Sequence, residues 1–461
     1  MQWLIHHLAL ILFFVLALSL FCGFPVAFVL GGIAILFGGL GILLDVFQPV
    51  QFFNLLPRVW GTAASNPILV AVPMFIFMGT MLERSGVAND LLHCLQVLLR
   101  RIPGGLAMSV TLMGTIMAAT TGIVGASVVM LTMIALPSML QRGYDSQLAV
   151  GTIASAGTLG ILIPPSIMLV IMGDLLSVSV GALFAAAVVP GLILAFLYLA
   201  FIGTTSFLKP GKAPALPDDI GPKTAGEFWR MIGKSFFPPV FLIVLVLGSI
   251  FGGWATPTEA AGVGALGAML LARINGSLTW KTLRDVIERA GLTNAMVFFI
   301  VFGATLFSYV FRSLGGDELI IELLAAMGIT TGWEILAFML ILTFALGFFF
   351  DWIEITLIVL PVFAPVLQGV DFGPHLGDGG PILFLTWFVI MLSVNLQTSF
   401  LTPPFGFTLF YMKGTVPPSI NMGQIYRGII PFVLLQLTGL ILILAFPQLA
   451  LWLPKTVGFL N

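Results

Sequence analysis

Apolar segments separated by short polar connections run through almost the whole chain. About ten to twelve of them approach the roughly 20 residues that a membrane-spanning helix needs. Two open the chain, at 3–22 and 25–44, and a third covers 67–83, after a connection at 45–66 that is predicted to be irregular. The opening segment lacks a basic region and a cleavage site, so we interpret it as a retained span. The pattern predicts an all-α polytopic membrane protein.

One apolar segment, Gly151 to Gly173, is interrupted by the pair Pro164-Pro165. Proline has no backbone N–H, so the carbonyls of Gly160 and Ile161 lose their helical partners. Such broken backbone at membrane depth is expected only where protein, water or an ion meets the freed groups. Hydroxyl side chains surround the break: Ser155, Thr158 and Ser166. Oxygen atoms of this kind suit Na⁺, and the alternative is a proline kink packed against a neighbouring helix.

A second apolar segment is broken in the same way at Pro403-Pro404, 239 residues after the first pair. Its freed carbonyls are expected at Ser399 and Phe400, and hydroxyls again lie nearby. Other landmarks recur in the same order in both halves of the chain: Gly79 and Gly303, Pro137 and Pro361, Pro190 and Pro431. Duplicated halves with interrupted helices at corresponding positions point to the binding site of a secondary transporter.

Two further apolar stretches are divided near their middle, and each is predicted to be a re-entrant hairpin. The first, 106–140, contains TTGIVGAS, and its two pieces are expected to be too short to cross a bilayer comfortably. The second, 333–368, contains GFFFDWIE, which places Asp351 and Glu354 at membrane depth. Ionisable groups there are functional candidates by default, and the alternative is a position nearer the interface.

The distribution of lysine and arginine predicts the orientation. If the basic loops 205–237 and 273–290 are cytoplasmic, all of the 18 basic residues except Arg58, Arg312 and Lys455 lie on the cytoplasmic side. The opening spans of the two repeats then run in opposite directions. We therefore expect an inverted duplication in which two hairpin tips and two helix breaks meet near the membrane midplane, the geometry of alternating access.

These elements divide the chain into five parts without a separate soluble domain. They are N-terminal spans (1–66), a first inverted repeat (67–204, with hairpin 106–140 and broken helix 148–173), a linking region (205–290), a second inverted repeat (291–450, with hairpin 333–368 and broken helix 381–413) and a tail (451–461). The linking region is predicted to hold a cytoplasmic loop, two spans and an amphipathic segment.

Composition narrows the class of protein. A hydrophobic content of 59%, a charged content of 8% and a mean hydropathy of +1.14 exclude a soluble globular domain. No basic tract is typical of nucleic-acid binding. Cys22 and Cys94 are isolated, so neither a disulfide nor a cysteine metal site is expected. The sequence contains no HExxH zinc motif and no GxxxxGK[ST] phosphate loop, which argues against an enzyme and against ATP as the energy source.

Four segments, TGIVGAS, LPSMLQRGYD, ASAGTLGILIPPS and LTPPFGFTLF, resemble the large membrane subunit of tripartite ATP-independent periplasmic (TRAP) transporters. The resemblance extends from about Gly23 to Pro447. It implies an elevator-type fold in a bacterial inner membrane, with a small membrane subunit and a soluble periplasmic solute-binding protein as partners. The binding protein would deliver an organic anion, and Na⁺ would be the coupling ion, with no further cofactor.

The resemblance also implies two Na⁺ sites with the substrate between them. The first would lie at Gly122, Gly125, Ser127, Gly157, Thr158, Gly160 and Pro164. The second would lie at Gly347, Asp351, Thr398, Thr402, Pro403 and Gly406. The substrate would bind near Ser166, Ser127 and Thr402. Many relatives have Gly-Ser-Ser where this chain has Gly125-Ala126-Ser127, so one hydroxyl ligand is missing.

The substrate is left open by the sequence. No lysine or arginine is evident at the midplane, so backbone amides at the hairpin tips and the bound cations are expected to hold the anion. The insertion at 371–381 resembles the branch associated with keto acids, lactate or aromatic acids more than the C4-dicarboxylate or sialic-acid branches. The alternatives are a channel, whose polar rings are not evident here, and a Na⁺-coupled anion transporter that works without a binding protein.

Overall fold

The computed structural model describes residues 6–121, 124–217, 221–222, 224–370, 372–377, 380–403 and 406–460. This part of the chain is helical throughout and contains no strand. Seven helical segments within it are long and apolar enough to cross a membrane: Val26–Leu43, Val124–Gln141, Val180–Leu208, Ala225–Phe251, Trp280–Ser313, Gly380–Leu401 and Met422–Ala445. The predicted all-α polytopic membrane protein is confirmed.

The N-terminal part begins with two spans, α1 (Leu8–Phe21) and α2 (Val26–Leu43). The connection that follows was expected to be irregular, and this expectation is wrong. It forms α3 (Pro49–Phe53), α4 (Leu55–Val59) and a π-helical turn, Trp60–Ala64. A capping box starts α3, because the backbone N–H of Gln48 donates to the side chain of Gln51 at 2.6 Å and proline is well placed at the first helical position.

The first repeat contains a span, an amphipathic helix, a helix pair, a broken helix and a long helix. In order they are α5 (Ala71–Arg84), α6 (Val87–Leu99), α7 (Gly105–Thr121), α8 (Val124–Gln141), α9 (Ser146–Thr158), α10 (Ile167–Leu176) and α11 (Val180–Leu208). Both hairpin pieces were expected to be too short to cross, but α8 has 18 residues and is apolar enough to span. It packs against α7 and α9, and its role as one arm of a re-entrant hairpin stays a prediction.

The linking region and the second repeat follow. The linking helices are α12 (Ala225–Met231), α13 (Phe237–Phe251) and α14 (Pro257–Ile274). The second repeat contains α15 (Trp280–Ser313), α16 (Gly316–Ala326), α17 (Gly332–Leu346), α18 (Trp352–Gln368), α19 (Gly380–Leu401), α20 (Phe407–Thr415) and α21 (Met422–Ala445), and α22 (Gln448–Thr456) follows it. From α15 to α21 the order of elements repeats that from α5 to α11.

The opening helices of the two repeats, α5 and α15, run antiparallel. At one end, Arg84 Nε lies 3.1 Å from Asp285 Oδ2, which joins the end of α5 to the start of α15. At the other end, Leu69 lies just before α5 and lines the same cavity as Tyr309, near the end of α15. Antiparallel equivalent helices are the arrangement that an inverted duplication produces.

The two repeats also exchange contacts reciprocally. The second hairpin arm of the first repeat, α8, packs against α20, and the second hairpin arm of the second repeat, α18, packs against α10. In the same way α9 packs against α21, and α19 packs against α11. Each hairpin is therefore held by the broken helix of the other repeat as well as by its own.

The contact between α9 and α21 depends on two glycines. A methyl group on Gly428 would lie 2.2 Å from the carbonyl oxygen of Gln147, and one on Gly151 would lie 2.1 Å from the carbonyl oxygen of Gly428. Both oxygens belong to backbone, which cannot move aside as a flexible side chain can. Small residues let helix backbones approach this closely in membranes, where such packing drives helix association.

We predict that Gly428→Ala lowers the melting temperature of the detergent-purified protein by several degrees, because overpacking costs about 1–3 kcal/mol. The matched control is Gly32→Ala on α2, where an added methyl group meets nothing within 4 Å. Alanine is the better helix former, so the control should leave the melting temperature unchanged or raise it slightly. Equal shifts for the two variants would contradict the close packing of α9 on α21.

Candidate functional site

The tip of the first hairpin lies directly against the first broken helix. A methyl group on Gly157 would lie 2.4 Å from Cγ2 of Val128 and 3.2 Å from its Cα, so the end of α9 touches the first turns of α8. Ser127, beside Val128, is buried. Gly125 faces the ring of Tyr411 on α20, since a methyl group there would lie 2.9 Å from it. Gly122 lies outside the described residues.

The first break is a short loop between α9 and α10. The chain leaves α9 through the 3₁₀ turn Leu159–Ile161, which contains Gly160, and resumes at Ile167. Pro164, buried and joined to Pro165 by a cis peptide bond, lies between them. The hydroxyl of Ser166 donates to the carbonyl oxygen of Ile161 at 2.6 Å.

The expectation that the Ile161 carbonyl is free is therefore wrong. The Ser166 side chain replaces the N–H that Pro165 lacks, because a hydroxyl can bond to nearby backbone. Ser166 is also the residue before α10, and its side chain makes no capping hydrogen bond to that helix. The first N–H groups of α10 thus have no side-chain acceptor at the break.

The second break joins α19 to α20 and brings backbone oxygens together. A methyl group on Gly406 would lie 2.7 Å from the carbonyl oxygen of Phe400 and 2.9 Å from that of Thr402. Only glycine leaves room for both oxygens at this point. The Thr402 hydroxyl donates to the carbonyl oxygen of Thr398 at 2.8 Å, and Pro403 lies in the turn that follows α19.

Of the two carbonyls expected to be free here, that of Ser399 is not. It accepts the backbone N–H of Thr402 at 3.0 Å, so the end of α19 tightens into a turn before Pro403 and this expectation is wrong. The Thr398 hydroxyl donates to the carbonyl oxygen of Val394 at 2.8 Å. Pro404 lies outside the described residues.

The first arm of the second hairpin, α17, is attached to α19 by two side chains that lie one helical turn apart. Asn395 Nδ2 donates to the carbonyl oxygen of Leu340 at 2.8 Å, and the Ser399 hydroxyl donates to that of Phe344. Gly347 packs on Ser399, since a methyl group there would lie 2.5 Å from its hydroxyl oxygen. Sequence reasoning missed Asn395, whose signal is an amide within an otherwise apolar segment.

Asp351 and Glu354 form a capping box at the start of α18. Asp351 Oδ1 accepts the backbone N–H of Trp352 at 2.7 Å, and Glu354 Oε2 accepts the backbone N–H of Asp351 at 3.2 Å. Tyr411, on α20, packs against the first hairpin tip at Gly125. Sequence reasoning missed Tyr411 as a site residue.

A buried hydrogen-bond network joins the two breaks. Gln397 Nε2 donates to the hydroxyl oxygens of Thr158 and Tyr198, both at 3.3 Å, and Gln436 Nε2 lies 3.4 Å from Thr158 Oγ1. Thr158 and Gln397 are 239 residues apart, the same separation as the two proline pairs, so equivalent positions of the two repeats meet. The amide oxygens of both glutamines are buried and have no hydrogen-bond partner among the described residues.

The arrangement supplies oxygen atoms for a cation and N–H groups for an anion. Hydroxyls lie at both breaks and carbonyl oxygens converge at the second, and such oxygens suit a hard cation. The second halves of both broken helices, α10 and α20, begin without a side-chain cap. Uncapped helix N-termini favour a negatively charged group such as a carboxylate.

Two cavities lie along the interface between the α5 and α15 pair and the hairpin region. One, of about 290 Å³, is lined by residues that include Glu83, Ala126 and Arg289, so it reaches the tip of the first hairpin. The other, of about 440 Å³, lies toward the opposite ends of α5 and α15 and is lined by parts of α10 and α18. Both cavities border α15, and each lies against a different hairpin, the smaller against α8 and the larger against α18.

The sequence matches, over residues 11–449, the family described as "Tripartite ATP-independent periplasmic transporter, DctM component". It is 31% identical to the C4-dicarboxylate TRAP transporter large permease protein DctM of Pseudomonas aeruginosa over 91% of this chain and 93% of that protein. It is also 31% identical to the ectoine/5-hydroxyectoine TRAP transporter large permease protein UehC of Ruegeria pomeroyi, with 84% of this chain and 85% of that protein covered.

Two further proteins are similar over most of this chain. The isethionate TRAP transporter permease protein DctMQ of Oleidesulfovibrio alaskensis is 28% identical, with 96% of this chain but 66% of the longer relative covered. The crystal structure of the YdaH transporter of Alcanivorax borkumensis superposes with a TM-score of 0.60 and 16% identity, covering 89% of each chain. At that identity the likeness shows the fold alone.

We predict that Thr158→Val lowers the melting temperature, because it leaves the buried amides of Gln397 and Gln436 without their shared acceptor, at a cost of about 1–3 kcal/mol. The substitution Gln397→Leu should lower the free energy of unfolding less in the Thr158→Val background than in the wild type. The expected difference is about 0.5–1.5 kcal/mol. The comparison pair is Thr158→Val with Gln424→Leu, which removes a separate bond to Ser146, and these two effects should add. If the effects of the two substitutions also add in the double variant of Thr158 and Gln397, the hydrogen bond between the breaks is contradicted.

Proposed function

Because the chain belongs to the family of the DctM component of tripartite ATP-independent periplasmic transporters, we propose that it imports a small organic anion by Na⁺ symport. The observation that carries the proposal is the direct connection of two oxygen-lined helix breaks through Thr158 and Gln397. A connection of this kind lets occupancy of one break be sensed at the other, as coupled transport of ion and substrate requires.

The Na⁺ ions are assigned to the two contacts between a hairpin tip and a break. At the first contact, the α8 tip meets the end of α9 next to Ser127 and Thr158. At the second, Gly347 meets Ser399 close to Thr398, and the converging carbonyls of Phe400 and Thr402 supply oxygens. Asp351 takes part by placing negative charge at the start of α18 while it caps that helix.

The substrate class is inferred from the relatives and from the helix ends. The compounds named for them, C4-dicarboxylates, ectoine and isethionate, each carry a carboxylate or a sulfonate group. The uncapped N-termini of α10 and α20 offer backbone N–H groups to such a group. We assign its binding to the region near Ser166, Ser127 and Thr402, between the two ions.

The partners follow from the family, in which the large permease acts with a small permease subunit and a periplasmic binding protein. For this chain we propose that the binding protein captures the anion and delivers it, and that the small subunit covers part of the lipid-facing surface in the bacterial inner membrane. Exposed apolar side chains on α1 and α2, including Phe14, Leu18, Phe28 and Leu36, suit either lipid or another membrane helix.

Movement of the hairpins and broken helices as one body against α5 and α15 would give alternating access. The tips are attached to the breaks by hydrogen bonds and close backbone contacts, and two cavities interrupt their packing against α15, one of them bordered by α5 as well. A body that is rigid inside and loosely packed against its support can slide as a unit, which is the elevator mechanism.

The test uses proteoliposomes that contain the permease with its small subunit and binding protein loaded with radiolabelled substrate. Uptake should require an inward Na⁺ gradient and should stop when a K⁺ gradient of the same size replaces it. Equal accumulation without a Na⁺ gradient would refute symport. Single-channel currents in the absence of the binding protein would point to a channel instead.

We predict that Thr402→Ala and Ser127→Ala each weaken the apparent Na⁺ affinity of uptake by about tenfold, equivalent to about 1.4 kcal/mol for one lost ligand. The matched control is Thr438→Ala, which removes an exposed hydroxyl with the same 2.8 Å bond to a carbonyl four residues earlier. Its Na⁺ dependence should equal that of the wild type. If all three variants keep the wild-type dependence, the ion sites lie elsewhere while the fold is unaffected.

A further inference from the structure

The larger cavity contains charged side chains that neither break uses. It has a volume of about 440 Å³, within the range of small-molecule pockets, and lies between the ends of α4 and α15 on one side and α10 and α18 on the other. Its polar lining includes Arg58, Thr62, Asp174, Ser308, Tyr309 and Arg312. Arg58 and Arg312 are two of the three basic residues that the charge distribution places outside the cytoplasm.

Arg312 is fixed in position at the end of α15. Its Nη2 donates to the carbonyl oxygen of Pro361 on α18 at 2.7 Å, and its Nε lies 3.6 Å from Asp317 Oδ1. Its side chain keeps 43% of its exposure, and Nη1 has no hydrogen bond to any of the described residues. The guanidinium is thus oriented by two partners and still has donors available.

Arg58 carries the charge that no carboxylate of the described residues neutralises. Its guanidinium carbon lies 4.5 Å from the centroid of the Tyr309 ring, and the Tyr309 hydroxyl in turn accepts a bond from Asn54 at 3.4 Å. A cation held over an aromatic ring keeps its full charge and its hydrogen-bond donors while losing conformational freedom. Arg58 is thus pre-organised to bind an anion.

The carboxylate that lines the cavity is held by another residue. Asp174, on α10, accepts a hydrogen bond from Asn66 Nδ2 at 2.7 Å. Asp174 and Asp317 balance the two guanidinium charges in number, but Asp317 pairs with Arg312, and Arg58 forms no ion pair with a carboxylate of the described residues. The guanidinium of Arg58 is therefore the cationic group of the cavity that has no anionic partner in the described part of the chain. Arg58 and Arg312 belong to α4 and α15, whereas Asp174 belongs to a broken helix.

From this geometry we propose that the cavity is an outer binding site for the carboxylate or sulfonate group of the transported anion, with Arg58 and Arg312 as its ligands. Guanidinium groups match the planar, two-oxygen geometry of a carboxylate. The site rests on the proposed function and precedes the binding region between the ions, because α10 and α18 connect the cavity to the first break and the second hairpin. It would concentrate the anion before the hairpins move.

The test measures the electrostatic potential of the cavity in the full chain, reconstituted in liposomes without binding protein or Na⁺ gradient. The exposed native thiol is removed by Cys22→Ser, the buried Cys94 is kept, and Ser308→Cys introduces a thiol into the cavity. The rates of labelling by anionic sulfonatoethyl methanethiosulfonate and cationic trimethylammonioethyl methanethiosulfonate are compared. Transport plays no part in this readout, so it can fail or succeed independently of the proposed function.

We predict that Arg58→Gln lowers the anionic labelling rate and raises the cationic rate, each by up to about fivefold, the size expected from removing a unit charge about 4 Å away in water. The ratio of the two rates falls by the product of these factors. Arg312→Gln should act in the same direction, and Arg58→Lys should restore the ratio because it retains the charge. The control thiol is Thr293→Cys in the other cavity, where the ratio should not respond to either arginine.

Binding is read from protection of the same thiol. Sodium succinate, as a carboxylate probe, or sodium isethionate, as a sulfonate probe, should slow labelling of Ser308→Cys relative to sodium chloride of equal ionic strength, which corrects for screening. Protection should disappear in Arg58→Gln. The proposal is overturned if the ratio of anionic to cationic labelling rates is unchanged in both Arg58→Gln and Arg312→Gln. It is also overturned if that ratio changes but neither succinate nor isethionate protects the thiol.

Discussion

Hydrocarbon tolerates no unpaired backbone polar group, and this constraint governs how the two proline breaks are built. At the first break the Ser166 hydroxyl takes the place of a missing N–H, and at the second a backbone turn pairs Ser399 with Thr402. Ser399 extends the same solution to the hairpin, since its hydroxyl donates to the carbonyl oxygen of Phe344 in the last turn of α17. The oxygens that stay available after this pairing are concentrated where tips meet breaks.

The exchange of contacts between the repeats joins the hairpins and broken helices into one packed unit. In this unit α8 packs on α20 while α18 packs on α10. Thr158 and Gln397 reinforce this unit from inside, at equivalent positions. The interface with α5 and α15 combines direct contacts, of α7 with α5 and of α18 with α15, with two cavities.

Local signals predicted the elements well. Pro164-Pro165 and Pro403-Pro404 predict the breaks, because a residue without a backbone N–H interrupts a helix wherever it lies in the fold. The hairpin divisions at TTGIVGAS and GFFFDWIE coincide with the ends of α7 and α17. The same local reasoning failed where a nearby side chain or turn could rescue a carbonyl, as at Ile161 and Ser399. It also overlooked capping by Asp351, although Glu354 follows at the spacing of a capping box.

The sequence by itself determined the spans, the positions of the breaks, the duplicated order and the family, because these depend on residue type and on spacing along the chain. Only the tertiary structure decided which of these features meet. Tyr411 reaches the first hairpin tip, and Arg58 shares a cavity with Asp174 and Arg312, although long stretches of sequence separate them. Such contacts depend on the rotation and register of each helix against its neighbours. The sequence of a helix that is hydrophobic on every side does not indicate either of them.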